Sequence, residues 1–200
     1  MSAVVTEILT LPPISEREVL RYMGTREATD EVRALLQGVI DEARDCFSGR
    51  VCAMECAASI DGSTVDLGFC RVESRDLAKA LAGCESVLIF AATVGMEIDR
   101  LIARYQRISP ARALALQALG AERVEALCDA FCNARAEGYS KQGLSLRPRF
   151  SAGYGDLPLS LQRELFRALD CPKRIGLTLN DSLLMSPTKS VTAIVGLKKG

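Results

Sequence analysis

The stretch Arg147-Pro148-Arg149-Phe150-Ser151-Ala152-Gly153-Tyr154 follows a long helical pattern and precedes a short one, yet it fits neither helix nor strand itself. It has no alternation of apolar and polar residues and no helical apolar stripe. A buried loop with two arginines, a proline and a Gly-Tyr pair has the chemistry of a binding segment. Two guanidiniums can fork onto a carboxylate or a phosphate. Gly153 has no Cβ, so a ligand can lie against the backbone there. Tyr154 adds a flat apolar face with a hydroxyl at its edge.

Working outward, Ser109-Pro110 combines a capping serine with a proline at the first helical position and predicts a long helix to about Gly138. Leu116, Leu119, Val124, Leu127 and Phe131 are among its apolar residues, and Gly120 marks a bend or a close approach of another backbone. Asp129 stands among apolar residues, where a carboxylate is either turned to solvent or aimed at a cation. Beyond the loop, Asp156-Leu157-Pro158 opens a helix to about Leu169. Residues 175–179 read as a strand, 180–187 as a loop, and 189–197 as a last strand with Val191, Ala193 and Val195 on one face.

Toward the N-terminus, residues 1–14 read as either a short strand or a docking arm. Ser15-Glu16-Arg17-Glu18 is a capping box for a short helix ending near Gly24. Val32, Leu35, Leu36, Val39, Ile40 and Ala43 recur at helical spacing after Thr29, and Gly49 closes that helix. Residues 50–60 then read as a strand, Asp61-Gly62 as a hairpin turn, and 63–73 as the partner strand. Ser74 caps a helix through Ala82, and residues 87–93 form an unbroken apolar run, as in a strand covered on both faces. Val94-Gly95 leads into a helix bearing Ile98, Leu101, Ile102 and Tyr105; its start is either an ordinary turn or a phosphate cradle. The expected class is α+β, a mixed or antiparallel sheet with a long central helix and an N-terminal helical lead-in. Residues 1–48 form that lead-in, packed on an α+β domain at 49–200, the whole making one compact domain.

Composition excludes several function classes. With 25 basic and 25 acidic side chains the formal charge is zero, which argues against nucleic-acid or membrane-surface partners. Apolar runs are too short to span a bilayer and the N-terminus has no signal-peptide pattern, so a cytoplasmic protein is expected. The 8 cysteines form no Cys-x-x-Cys pair, and there is no histidine, which removes the common zinc patterns and the Ser-His-Asp and Cys-His machineries. Buried free thiols are the favoured reading of those cysteines, with a metal site as the alternative. Any chemistry rests on carboxylates, arginine, tyrosine or a borrowed cofactor.

The loop and the later run Gly-Leu-Thr-Leu-Asn-Asp-Ser-Leu-Leu-Met-Ser-Pro at 176–187 together resemble the reactivation domain of cobalamin-dependent methionine synthase. That family has an Arg-Pro-x-Pro-Gly-Tyr loop followed by a Leu-Thr-Glu-Ser-x-x-Met-x-Pro stretch, and the similarity covers residues 85–197, the rest more weakly. The resemblance implies a protein that binds S-adenosylmethionine and presents its methyl group to cobalt. It implies restoration of methylcobalamin from inactive cob(II)alamin, with an electron from a flavodoxin-like donor. Carried residue by residue, the Gly-Tyr pair falls on Gly153 and Tyr154, with Ser151 and Ala152 offering backbone groups beside them. The family's arginine falls on Arg149 by its spacing to the tyrosine, or on Arg147 by its Arg-Pro dipeptide; the spacing favours Arg149. Asp129 takes the place of the family's helical glutamate. Ala152 and Gly155 stand where the family has prolines, and no homocysteine, folate or corrinoid module is present. The chain therefore resembles a stand-alone form serving a corrinoid-bearing methionine synthase that lacks its own reactivation domain. Two other readings compete with it. One is a module that senses S-adenosylmethionine without methyl transfer; the other is a structural crossing whose arginines pair with internal carboxylates.

Overall fold

A computed structural model describes residues 2–25 and 28–200, so Met1, Arg26 and Glu27 of the 1–48 segment lie outside the described residues. The first half contains β1 (Val5–Leu9), α1 (Glu16–Tyr22), α2 (Asp30–Ala43), β2 (Gly49–Ala57), β3 (Ser59–Asp61), β4 (Thr64–Asp66), β5 (Arg71–Glu73), α3 (Arg75–Ala80) and β6 (Cys84–Thr93). The second contains α4 (Glu97–Tyr105), α5 (Pro110–Ser140), β7 (Leu144–Leu146), α6 (Leu161–Leu169), α7 (Cys171–Ile175), β8 (Thr178–Leu179), β9 (Met185–Ser186) and β10 (Ser190–Lys199).

Five of these strands pair antiparallel in the order β1-β2-β6-β10-β7. The central strand β6 explains the unbroken apolar run, because successive side chains point to opposite faces. Leu88, Phe90 and Ala92 join a core with α1, α2, α4 and α5, while Val87, Ile89 and Ala91 join a second core with α3, α6 and α7. Both faces are covered, so every position from Val87 to Ala92 is apolar, and the polar Thr93 that ends the run is buried too. The class is α+β, as the sequence indicates. Among the described residues no helix is long and apolar enough to cross a membrane.

Local rules hold at several helix starts. Thr29 accepts from the Val32 amide and Ser74 from the Leu77 amide. Pro110 opens α5, although the Ser109 side chain makes no capping bond. Ser15 accepts from the Glu18 amide, but the return arm of the capping box is borrowed. The Ser15 amide donates to Glu122 Oε1 of α5 at 3.0 Å, and Glu18 instead holds Arg21 at 2.7 Å. At Gly120 the close neighbour is a side chain: an added Cβ would meet Lys189 Cγ at 2.9 Å.

Four expectations are corrected. The partners of β2 are β1 and β6, which occupy both its edges and leave none for residues 63–73. Its hairpin turn lies one residue later, at Gly62-Ser63, within a small three-stranded sheet β3-β4-β5. Gly49 does not close α2 but opens β2, where a Cβ would press to 2.7 Å on the Leu9 carbonyl of the neighbouring strand. Residues 171–175 are a short helix with Pro172 in its first turn and left-handed Gly176 at its end, so the strand expected at 175–179 shrinks to Thr178–Leu179, paired with β9 inside the segment read as loop. Finally, α6 begins at Leu161, and Asp156 caps a different helix. Its carboxylate accepts from the Ser74 hydroxyl and from the Arg75 and Asp76 amides at the start of α3.

Those bonds, the Ser74 hydroxyl first, hold the Asp156 carboxyl below the usual carboxylate range. A depressed folded-state value stabilises the fold above the unfolded value of about 3.9, and that contribution is lost as pH falls through the folded value. Thermal melts from pH 6 to pH 2 are therefore expected to show Asp156→Asn less stable than wild type at neutral pH, with the gap closing below about pH 4. A pH-independent gap would contradict this.

Candidate functional site

The sheet itself aims the two loop arginines. Leu146 of β7 lies opposite Leu197, and the Arg147 amide bonds the Gly196 carbonyl at 2.8 Å. Phe150 then bridges Ile194, through bonds of 2.9 and 2.8 Å. From Leu146 to Phe150 the loop advances four residues while β10 advances three, from Leu197 to Ile194. One extra residue is a β-bulge, and a bulge reverses the alternation of faces. Leu144 and Leu146 pack toward α5, whereas Phe150 packs into the opposite core. Arg147 and Arg149, which regular strand alternation would put on one face, consequently point to opposite sides.

Arg147 runs toward α3, its Nε 3.4 Å from the Ala80 carbonyl. Arg149 runs toward α5, where Nη2 lies 2.9 Å from Glu125 Oε2 and 2.9 Å from Asp129 Oδ1. Glu125 and Asp129 are one helical turn apart, a spacing at which like charges repel unless a cation sits between them. Asp129 thus meets both of its sequence alternatives: it faces solvent, with a side chain 66% exposed, and it holds a cation. Arg149 Nη1 is buried without a hydrogen-bond partner among the described residues, so the guanidinium keeps unused donor capacity.

The remaining loop residues form a tight turn. The Tyr154 amide donates to the Ser151 carbonyl, the Gly153 amide to the Leu157 carbonyl, and Ala152 packs against the core beneath. Gly153 has φ +87°, a conformation glycine permits. The space beside it is taken, because Leu159 Cδ1 would lie 3.1 Å from an added Cβ. Gly153 therefore serves the turn and Leu159, where the sequence left room for a ligand. The Tyr154 ring is 72% exposed and meets Phe150 edge-on, with centroids 6.2 Å apart.

Glu125 and Asp129 also line a groove of about 470 Å³ between α5 and the N-terminal segment. Its other wall includes Pro12, Pro13, Ser15, Glu18, Arg21 and Tyr22. This volume lies in the range of small-molecule sites, about 300–1,000 Å³. Sequence reading missed Glu125, although its one-turn spacing from Asp129 was a local signal. The N-terminal wall gave none, since residues about a hundred positions away meet α5 only in the fold. Glu122 and Arg123 anchor that wall. They form a buried ion pair, and Arg123 also donates to the carbonyls of Pro12 and Pro13 at 2.6 and 3.1 Å.

The 8 cysteines are free thiols. Burial pushes the Cys128 thiol, below the acid pair, well above its ordinary value, so it stays protonated. Cys52 and Cys171 touch within the second core, with Sγ atoms 4.0 Å apart. Among the described residues no group of three or more acidic or thiol side chains is placed to hold a metal ion.

No family model matches the chain, and no curated protein matches it by sequence. Among solved structures, the crystal structure of the MetH reactivation domain bound to AdoHcy superposes with a TM-score of 0.71 and 14% identity. The match covers 97% of this chain and 78% of that one. At that identity the likeness speaks for architecture alone, and in architecture this chain is similar to a methionine synthase reactivation domain.

Proposed function

We propose that the chain binds S-adenosylmethionine at Arg149, Asp129 and the 151–154 turn, and presents its methyl group to the corrinoid of a separate methionine synthase lacking a reactivation domain. The observation that carries this reading is the convergence of loop and helix: Arg149 on Asp129 and Glu125, two carboxylates that line a groove of about 470 Å³. The fold likeness to a domain crystallised with AdoHcy supports it. The exposure of both carboxylates, 42% and 66%, speaks against a purely structural crossing, which would enclose its ion pairs.

The ligand matches these groups. Its carboxylate competes with Asp129 for Arg149 Nη2, and the released Asp129 takes the ammonium. Tyr154 offers an exposed ring beside the turn, whose Gly153 and Tyr154 amides are bonded within it. Arg147, turned toward α3, plays no part at the helix acids. The sulfonium is already an activated methyl donor for reduced cobalt held by the partner, with the electron coming from a flavodoxin-like protein. This chain supplies position, for which no general base is needed.

Calorimetric titration tests the binding. Arg149→Ala is expected to weaken S-adenosylmethionine by about 10- to 150-fold, as for about 1.5–3 kcal/mol of charge-assisted hydrogen bonding. Arg147→Ala leaves the affinity within about twofold, less than 0.5 kcal/mol by the same conversion. Unchanged affinity in Arg149→Ala sinks the site. For the reaction, the protein is mixed with a corrinoid-bearing synthase, a reductant and methyl-labelled S-adenosylmethionine. Labelled methylcobalamin supports reactivation; binding without label transfer leaves the sensing module.

A further inference from the structure

We propose that Glu125 is a specificity-determining residue that makes the site prefer the methyl-loaded sulfonium to the spent thioether. This inference rests on the S-adenosylmethionine reading above. The groove's other charges are internally matched: Glu18 pairs with Arg21 at 2.7 Å, and Glu122 pairs with Arg123 out of solvent. Among the described residues, Glu125 and Asp129 share a single cation, Arg149, through one nitrogen. Among the described residues the cluster therefore carries one uncompensated negative charge beside the groove.

A site built only to hold an amino-acid end needs one cation and one anion. Asp129 and Arg149 already supply these, which leaves Glu125 as surplus. Once the ligand's carboxylate neutralises Arg149 and its ammonium neutralises Asp129, the charge of Glu125 is left uncompensated. In S-adenosylmethionine the positive sulfur lies three bonds from the α-carbon, close enough to restore neutrality. In S-adenosylhomocysteine the same sulfur is a neutral thioether, and the charge of the partly exposed Glu125 stays unmatched beside the groove. The two ligands share every other polar group, so this charge is what separates them. The consequence for turnover is directional: transfer of the methyl group removes the charge that held the nucleoside, and the product is released.

Glu125→Gln keeps an acceptor for Arg149 and removes only the charge. Titrations use wild type, Glu125→Gln and Glu125→Asp with three probes. These are S-adenosylmethionine, S-adenosylhomocysteine and sinefungin, whose protonated amine replaces the sulfonium. Wild type is expected to prefer both cationic ligands to the thioether by about tenfold at low salt, with the preference shrinking at high ionic strength. Glu125→Gln is expected to lose that preference through weaker binding of the cations alone, and Glu125→Asp to keep most of it. If all three ligands weaken in parallel, Glu125 merely orients Arg149 and the inference falls. If none changes, it falls as well. Wild type that binds none of the three probes overturns the S-adenosylmethionine reading itself, and this inference with it.

Discussion

Replacing Glu122 with alanine is expected to cost about 3–5 kcal/mol of folding stability, the penalty for stranding one member of a buried ion pair. For a chain of this size that is a fall in Tm of about 6–20 °C. The Glu122 and Arg123 side chains are 5% and 3% exposed, so water cannot replace what is lost. Their pairing is unusual locally, because neighbours in a helix do not face each other. Arg123 must curl back to meet Glu122, and it does so while gripping the carbonyls of Pro12 and Pro13. Glu122 reaches the other way, to the Ser15 amide. Two adjacent residues thus tie the N-terminal segment to the long helix. The double variant Glu122→Leu/Arg123→Met is expected to recover most of the loss, since well-packed apolar replacements of buried pairs are close to neutral. Amide exchange at Ser15 should rise in the single variant even below its melting range. A single variant as stable as wild type would contradict the account.

Phe90→Ala is the second large effect, about 3–5 kcal/mol by the cost of an emptied aromatic site in a core. Phe90 is fully buried on the central strand, and its ring lies 5.0 Å from that of Phe131 on α5, tilted by 54°. The pair joins sheet to helix at the heart of the first core. A double-mutant cycle with Phe131→Ala is expected to return a coupling of about 0.5–1.5 kcal/mol beyond area burial. Neither ring lines the groove, so calorimetric affinity at a temperature where the variant stays folded should change little. Denaturant unfolding provides the stability measurement. A cost below about 1 kcal/mol would mean that the two layers do not depend on this contact.

These two variants separate what sequence discloses from what only the fold discloses. The run at 87–93, the caps at Thr29 and Ser74, and the proline opening α5 are written in neighbouring residues, and they appear where local rules put them. The meeting of Asp129 with Arg149 was implied by the family resemblance and by no local pattern. The choice between Arg147 and Arg149 did not follow from alternation, because the bulge before Phe150 depends on the partner strand. Cys171-Pro172 to Gly176 was legible as a helix, with proline inside its start and glycine at its end, but a short apolar segment suits either state. Asp156 read as the start of the next helix, and it caps a helix about eighty residues earlier. The Glu122–Arg123 tie to the prolines belongs to the same kind: its partners are adjacent only after folding.

The extra residue at the edge of the sheet also sets where comparison between related chains must begin. Counting forward from Leu146, which faces α5, turns both arginines away from the helix acids; counting backward from Phe150, which faces the other core, turns Arg149 toward them, where it is found. The aromatic anchor, rather than the Arg-Pro dipeptide, is therefore the origin from which corresponding guanidiniums are matched.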